Sequence, residues 1–244
     1  MQFVQEPEIT PTLIGERLER LRRRLREAAE RAGRDPNGFA IVGVTKTLPV
    51  EVCRMALEAG LRQLGENRVQ EALPKIAALP DAEWHLIGRL QSNKARKAAT
   101  AFSAIHSVDS LELLIRLASA AHDSARHPAL LLQVNVTGQT AKAGFSLDWF
   151  EREVRRPGEL VEAMRSVRDA RVTGLMAMAE FGVDETAARA TFRRLRELRD
   201  ALQETAGRAL PELSMGMTAD AEAAVAEGAT LVRIGTAIFG PRPG

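Results

Sequence analysis

The chain has 244 residues, 45% hydrophobic and 27% charged, with 34 Lys+Arg against 32 Asp+Glu for a net charge of +2. This excludes a disordered chain and a strongly basic nucleic-acid-binding surface, and the length suffices for one sizeable core. A lone cysteine (Cys53), the lack of any apolar stretch of membrane-spanning length, and an opening without a basic-then-apolar leader lead us to expect a soluble, cytoplasmic protein without disulfides or a membrane partner.

Leu18, Leu21, Leu25, Ala28 and Ala32 recur at spacings of three and four, which predicts an amphipathic helix over residues 12–32, ended by Gly33. Glutamates interleaved with its arginines mark a solvated face rather than a nucleic-acid patch. After the turn-like segment 34–38 comes the short, β-branched apolar run 40–44, fit for a strand buried on both faces. A helix follows at 49–59. Further strands are expected near 61–65, 84–88, 104–108, 129–136, 172–178, 212–215 and 230–234. Helical patterns fall at 111–121, 187–202 and 219–226, with extra helix or loop at 149–157. Eight strands, mostly followed by helices, predict parallel sheet closed as a single-domain α/β (β/α)8 TIM barrel over 1–244. Residues 1–38 are its N-terminal helix and lead-in. No G-x-G-x-x-G follows a strand, which weakens a dinucleotide-binding alternative.

Chemistry in such barrels gathers where strands end. Polar residues recur at those places: Thr45-Lys46-Thr47 after strand one, Glu66-Asn67 after strand two, and His85, Gln91, Asn93 and Lys94 around strand three. Ser107 and Asp109 follow, then Asn135, then Met176 and Met178 on strand six. Ser214 to Thr218 end strand seven, and Arg233 to Thr236 end strand eight. Lysine is scarce, five residues against 29 arginines, so Lys46 directly after an apolar strand is the sharpest signal. Desolvation at a barrel mouth lowers a lysine pKa and frees the amine for attack on a carbonyl. The plainer alternative is a lysine that snorkels to solvent or pairs with Glu66.

The last two loops offer small residues, hydroxyls and backbone N–H groups where such barrels cradle phosphate; plain capping by Thr218 or Asp220 is the other reading. Arg233 interrupts an apolar strand and needs an acceptor, either a carboxylate or a ligand atom. His85 reads first as a core histidine. Met176 and Met178 read as core, although a methionine at a barrel mouth also packs on a flat ring. No metal-ligand spacing stands out. Because strand eight closes against strand one, a ligand with an aldehyde and a phosphate at opposite ends of one ring would bridge Lys46 and the last two loops. Pyridoxal 5′-phosphate fits that description, with class I aldolase chemistry on a sugar phosphate as the rival.

The segments 42–46 (VGVTK), 65–71 (GENRVQE), 84–88 (WHLIG), 90–94 (LQSNK), 174–178 (GLMAM), 213–217 (LSMGM) and 232–240 (VRIGTAIFG) together resemble the YggS/PROSC family of pyridoxal phosphate homeostasis proteins, in order and from about Ile41 onward. The resemblance implies a barrel like the N-terminal domain of alanine racemase, with Lys46 as the Schiff-base lysine. It further implies Ser214, Gly235 and Thr236 at the phosphate and Arg233 near the pyridine nitrogen. With Asn67, Met176 and Met217 added, these form the expected cofactor-binding set. Two departures are visible: Glu180 stands where the family often has proline, and Thr218 where serine is common.

Bound pyridoxal phosphate makes a racemase the obvious enzyme, and a two-base racemase needs acid/base groups on both faces of the substrate Cα. In the arrangement implied by alanine racemase the second base is a tyrosine from another domain, and this chain has no tyrosine. An arginine at the ring nitrogen also weakens the electron sink. The expectation is therefore a carrier that buffers or delivers the cofactor and influences amino-acid balance, a monomer or weak dimer whose partners are apo forms of pyridoxal-phosphate enzymes. An amino-acid racemase is the alternative. Lys94 and Lys142 are candidates for secondary attachment.

Overall fold

Thr10 starts the first helix: its Oγ1 accepts from the backbone N–H of Leu13 at 3.2 Å, and Pro11 occupies the first turn, where a missing N–H costs nothing. This helix, α1 (Pro11–Arg31), buries the stripe Ile14, Leu18, Leu21, Leu25, Ala28 and Ala29, and Gly33 follows it at φ +67°. The computed structural model describes residues 9–124, 126–139, 143–167, 171–180 and 182–241.

Eight strands follow: β1 (Ala40–Val44), β2 (Gln63–Glu66), β3 (Glu83–Leu86), β4 (Ala104–Val108), β5 (Ala129–Asn135), β6 (Arg171–Met176), β7 (Glu212–Ser214) and β8 (Leu231–Ile234). Each pairs in parallel with the next, and β8 pairs with β1, Arg233 opposite Val42, so the sheet closes into the expected barrel. The two-residue segment Phe145–Ser146 extends the pairing at the end of β5. Outside lie α2 (Val50–Glu58), α3 (Val69–Ala78), α4 (Ala95–Ala101), α5 (Leu111–Ser124), α6 (Leu147–Arg155), α7 (Glu159–Ser166), α8 (Glu185–Ala206), α9 (Ala221–Ala226) and α10 (Thr236–Phe239). The extra element anticipated at 149–157 is α6. No helix among the described residues is long and apolar enough to cross a membrane.

Alternation along the strands divides the side chains between two environments. Ile41, Leu64, Trp84, Ile105, Leu130, Leu213 and Val232 join the large core between barrel and helices. Fully burying each such side chain is worth about 1.5–3 kcal/mol. Val42, Leu131, Met176 and Leu231 form a separate apolar cluster inside the barrel. They share that interior with the buried polar residues His85, His106, Gln133, Ser214 and Arg233. Where β6 crosses closest to β7, Gly174 is required, because a Cβ there would lie 1.8 Å from the Glu212 carbonyl oxygen.

Several strand ends differ from the sequence expectation by one or two residues, and at two of them the local reason is visible. β2 begins at Gln63 rather than Leu61 because the Leu61 N–H is taken by the Ala56 carbonyl at 2.9 Å, closing α2. β6 stops at Met176, two residues early, and the Ala177 carbonyl then accepts from the guanidinium of Arg233 at 3.0 Å.

Candidate functional site

Lys46 follows β1 in a tight turn closed by the Leu48 N–H donating to the Thr45 carbonyl at 3.0 Å. The residue after it, Thr47, sits at φ +67° and is the one non-glycine positive φ among the described residues. A β-branched residue is strained there, and such strain clusters at sites that must hold a fixed geometry. On the outer side of the sheet a buried ion pair braces the turn. The Glu66 carboxylate, 0% exposed, accepts from Lys75 Nζ at 2.7 Å and from Thr45 Oγ1 at 2.7 Å. Lys75 Nζ also donates to the Thr45 carbonyl at 2.9 Å. Glu66 is thus engaged by Lys75 of α3. Lys46 itself is half-buried, two residues beyond Val44, the last residue of β1. Cys53 lies near the same pair, and burial pushes its thiol up, away from a reactive thiolate.

The loops after β7 and β8 come together beside β1. Thr218 Oγ1 and Thr236 Oγ1 lie 3.3 Å apart, both on exposed residues. Two backbone devices shape these loops. Gly216 has φ +90° and no room for a Cβ, which would meet Ala224 Cβ at 2.5 Å, and its carbonyl accepts from the Arg233 N–H at 3.0 Å. Asp220 Oδ1 accepts from the Met217 N–H at 2.5 Å. The Met217 side chain is exposed, as is that of Met178 after β6.

Inside the barrel a line of hydrogen bonds joins four strands. Arg233 of β8 donates through NH1 to Ser214 Oγ of β7 and through NH2 to the Ala177 carbonyl. Ser214 Oγ is 2.8 Å from His106 Nδ1 of β4, and His106 Nε2 is 2.9 Å from His85 Nδ1 of β3. Burial holds His85 down to about 4. Burial lowers His106 well below the usual imidazole range, with the neighbouring His85 and Arg233 adding to it. Both imidazoles are therefore neutral at neutral pH. Burial also brings Arg233 down to about 10, with Asp220 acting the other way, so the guanidinium stays a cation.

The expected site residues fall into three neighbourhoods. Lys46, Met217, Gly235 and Thr236 sit at the ends of the adjacent strands β1, β7 and β8. Met176, 1% exposed, packs with Val42, Leu131 and Leu231 in the interior. Ser214, expected in the loop cradle, has its hydroxyl turned to Arg233 and His106 inside the barrel. Asn67 lines a polar cleft of about 1070 Å³ on the β2–β4 side of the mouth, together with Arg68, Arg89, Gln91 and Lys94. Lys142 lies outside the described residues. Sequence reasoning passed over His106 entirely and left Thr218 outside the expected cofactor-binding set, with capping as its alternative role. The only signal for His106 was its even spacing with Ala104 and Val108 in a predicted strand.

Residues 17–243 match the family described as alanine racemase, N-terminal domain. The chain is 43% identical over 229 residues to the pyridoxal phosphate homeostasis protein of Aquifex aeolicus, covering 93% of this chain and 97% of that one. It is 44% identical over 231 residues to the protein of the same description from Pseudomonas aeruginosa, covering 94% and 96%. Among solved structures it resembles PipY of Synechococcus elongatus PCC7942 with PLP bound, at 39% identity and TM-score 0.78, over 93% of this chain and 100% of that chain. Alanine racemase of Streptomyces lavendulae shares the fold at TM-score 0.72 with 22% identity, over 97% of this chain and 59% of the racemase.

Proposed function

The chain belongs to the alanine racemase N-terminal domain family, among the pyridoxal phosphate homeostasis proteins, and on that premise we propose that it binds pyridoxal 5′-phosphate at the mouth of the barrel and buffers or delivers it. The observation that carries this reading is a convergence on three adjacent strands: an amine after β1, a hydroxyl pair after β7 and β8, and a buried guanidinium on β8. The donor set suits the cofactor's two ends. Thr218 and Thr236, with the backbone of Gly235 and Met217, would hold the phosphate. Arg233 would face the ring nitrogen, where a fixed cation disfavours protonation. Lys46 would hold the other end, its backbone fixed by the Thr45–Leu48 turn and the Glu66–Lys75 brace. Asn67 on the β2 side and Met176 beneath would complete the walls. The group itself supplies an aldehyde that condenses with an amine, with loss of water, and a ring that withdraws electrons.

The same residues favour a carrier over a racemase. Racemisation needs a second base opposite Lys46; the chain has no tyrosine, and both interior imidazoles are buried with strongly lowered basicity. Arg233 as ring partner leaves the ring a weaker electron sink. The recipients in this reading are apo forms of pyridoxal-phosphate enzymes in the cytoplasm, and the carrier is a monomer or weak dimer. The test mixes loaded protein with an apo-enzyme and follows recovery of that enzyme's activity, while alanine in D2O is monitored by NMR. Recovery without deuterium at Cα is expected. Deuterium incorporation at catalytic rates would overturn the carrier reading in favour of the racemase.

A further inference from the structure

We infer that Ser214 is a positioning residue for Arg233 at the ring end of the site, backed by His106 and His85, and does not hold the phosphate. This rests on the cofactor reading above and assigns its two poles to different side chains.

Three observations carry it. First, Ser214 is 0% exposed and lies within β7, its register partners being Met176 of β6 and Leu231 of β8, both members of the interior cluster. The exposed hydroxyls of Thr218 and Thr236 meet each other in the loops beyond. Second, the bonding capacity of the Ser214 hydroxyl is committed. A serine hydroxyl has one hydrogen to give and two lone pairs. Arg233 NH1 donates to the oxygen, and the hydrogen is what His106 Nδ1, at 2.8 Å, can accept. His106 then carries its own hydrogen on Nε2 and donates it to His85 Nδ1 at 2.9 Å. In this arrangement every bond along the line has one donor and one acceptor, and each donor points away from the guanidinium, which favours it electrostatically. With the opposite tautomer of His106, Arg233 and His106 would both donate to the serine oxygen, and the Ser214 hydrogen would need another acceptor. Binding a phosphate oxygen would likewise require that hydrogen, and His106 would lose its donor.

Third, Arg233 is held at two points, by Ser214 Oγ on β7 and by the Ala177 carbonyl after β6. Two contacts fix the plane of a guanidinium as one does not. Neither acceptor is a carboxylate, so the cation keeps its full charge for a ligand atom. Ser214, His106 and His85 thereby act on the ring nitrogen only through Arg233.

The test compares pyridoxal 5′-phosphate with pyridoxal, which lacks the phosphate, in equilibrium binding to the whole protein. Ser214→Ala is expected to weaken both ligands by the same factor, about tenfold or more, whereas Thr236→Ala weakens only the phosphorylated one. In the cofactor-free protein Ser214→Ala is also expected to shift the His106 ring and Arg233 Nε–H signals in 15N NMR. Should Ser214→Ala fold poorly, Ser214→Cys keeps the volume with a weaker acceptor and gives the same comparison. A loss confined to the phosphorylated ligand would overturn the assignment and make Ser214 a phosphate ligand, and so would no loss for either. Binding of neither ligand by the unaltered protein would be a distinct outcome. It would bring down the cofactor reading and this inference with it.

Discussion

Acidification below neutral is expected to destabilise the protein through the His85–His106 pair. Burial holds His85 at about 4, against about 6.5 in an unfolded chain. The unfolded state therefore binds the extra proton between those values, and stability falls as pH falls through that window. Above about pH 6.5 the contribution is complete. Each titrating group changes stability by about 1.4 kcal/mol per pH unit there, so His85 costs about 2 kcal/mol between pH 6.5 and 5. His106 is lowered as well, by burial first and then by His85 and Arg233, and works in the same direction. Carboxylates with lowered values, such as Glu227, lose their share only near and below the unfolded carboxylate range, and Asp109, raised by burial, works in the opposite sense. Urea unfolding of the cofactor-free protein at pH 7, 6 and 5 reads the slope. His85→Gln keeps an acceptor for His106 and removes one titrating group, so the slope is expected to fall. A flat stability between pH 7 and 5, or an unchanged slope in the variant, would refute the neutral buried pair.

Thr236→Ala is expected to weaken pyridoxal 5′-phosphate binding by about 1.5–3 kcal/mol, the worth of a hydrogen bond to a charged group, measured by calorimetric titration. Lys75→Met leaves the fully buried Glu66 carboxylate without its cation, and a loss of about 3–5 kcal/mol in urea unfolding is expected. The double variant with Glu66→Gln recovers most of it. Thr47→Gly relieves about 1–2 kcal/mol of left-handed strain against about 0.4–1 kcal/mol of added unfolded-state entropy. A slight rise in thermal midpoint is expected, together with slower capture of carbonyl reagents by Lys46 as the turn loosens.

The barrel was legible in the sequence because its signal is local. Runs such as 40–44 are apolar and β-branched, and Gly33 and Gly60 punctuate the helices between. Lys46 stood out because lysine is scarce and because it ends an apolar strand. The interior line of hydrogen bonds was not legible, since it depends on which alternate residues of β3, β4, β7 and β8 face inward. His106 and Ser214 lie 108 residues apart and meet only once the barrel closes. Arg233 announced that it needed an acceptor, but periodicity does not reveal that the acceptors are a serine and a backbone carbonyl. The same holds for Lys75, whose helical position gives no hint that it reaches the Thr45 carbonyl.

Borohydride reduction of the protein mixed with pyridoxal 5′-phosphate, followed by peptide mass mapping, tests the central assignment most directly. A phosphopyridoxyl mass on the peptide containing Lys46 is the result expected. No adduct, or one confined to Lys94 or Lys142, would contradict it.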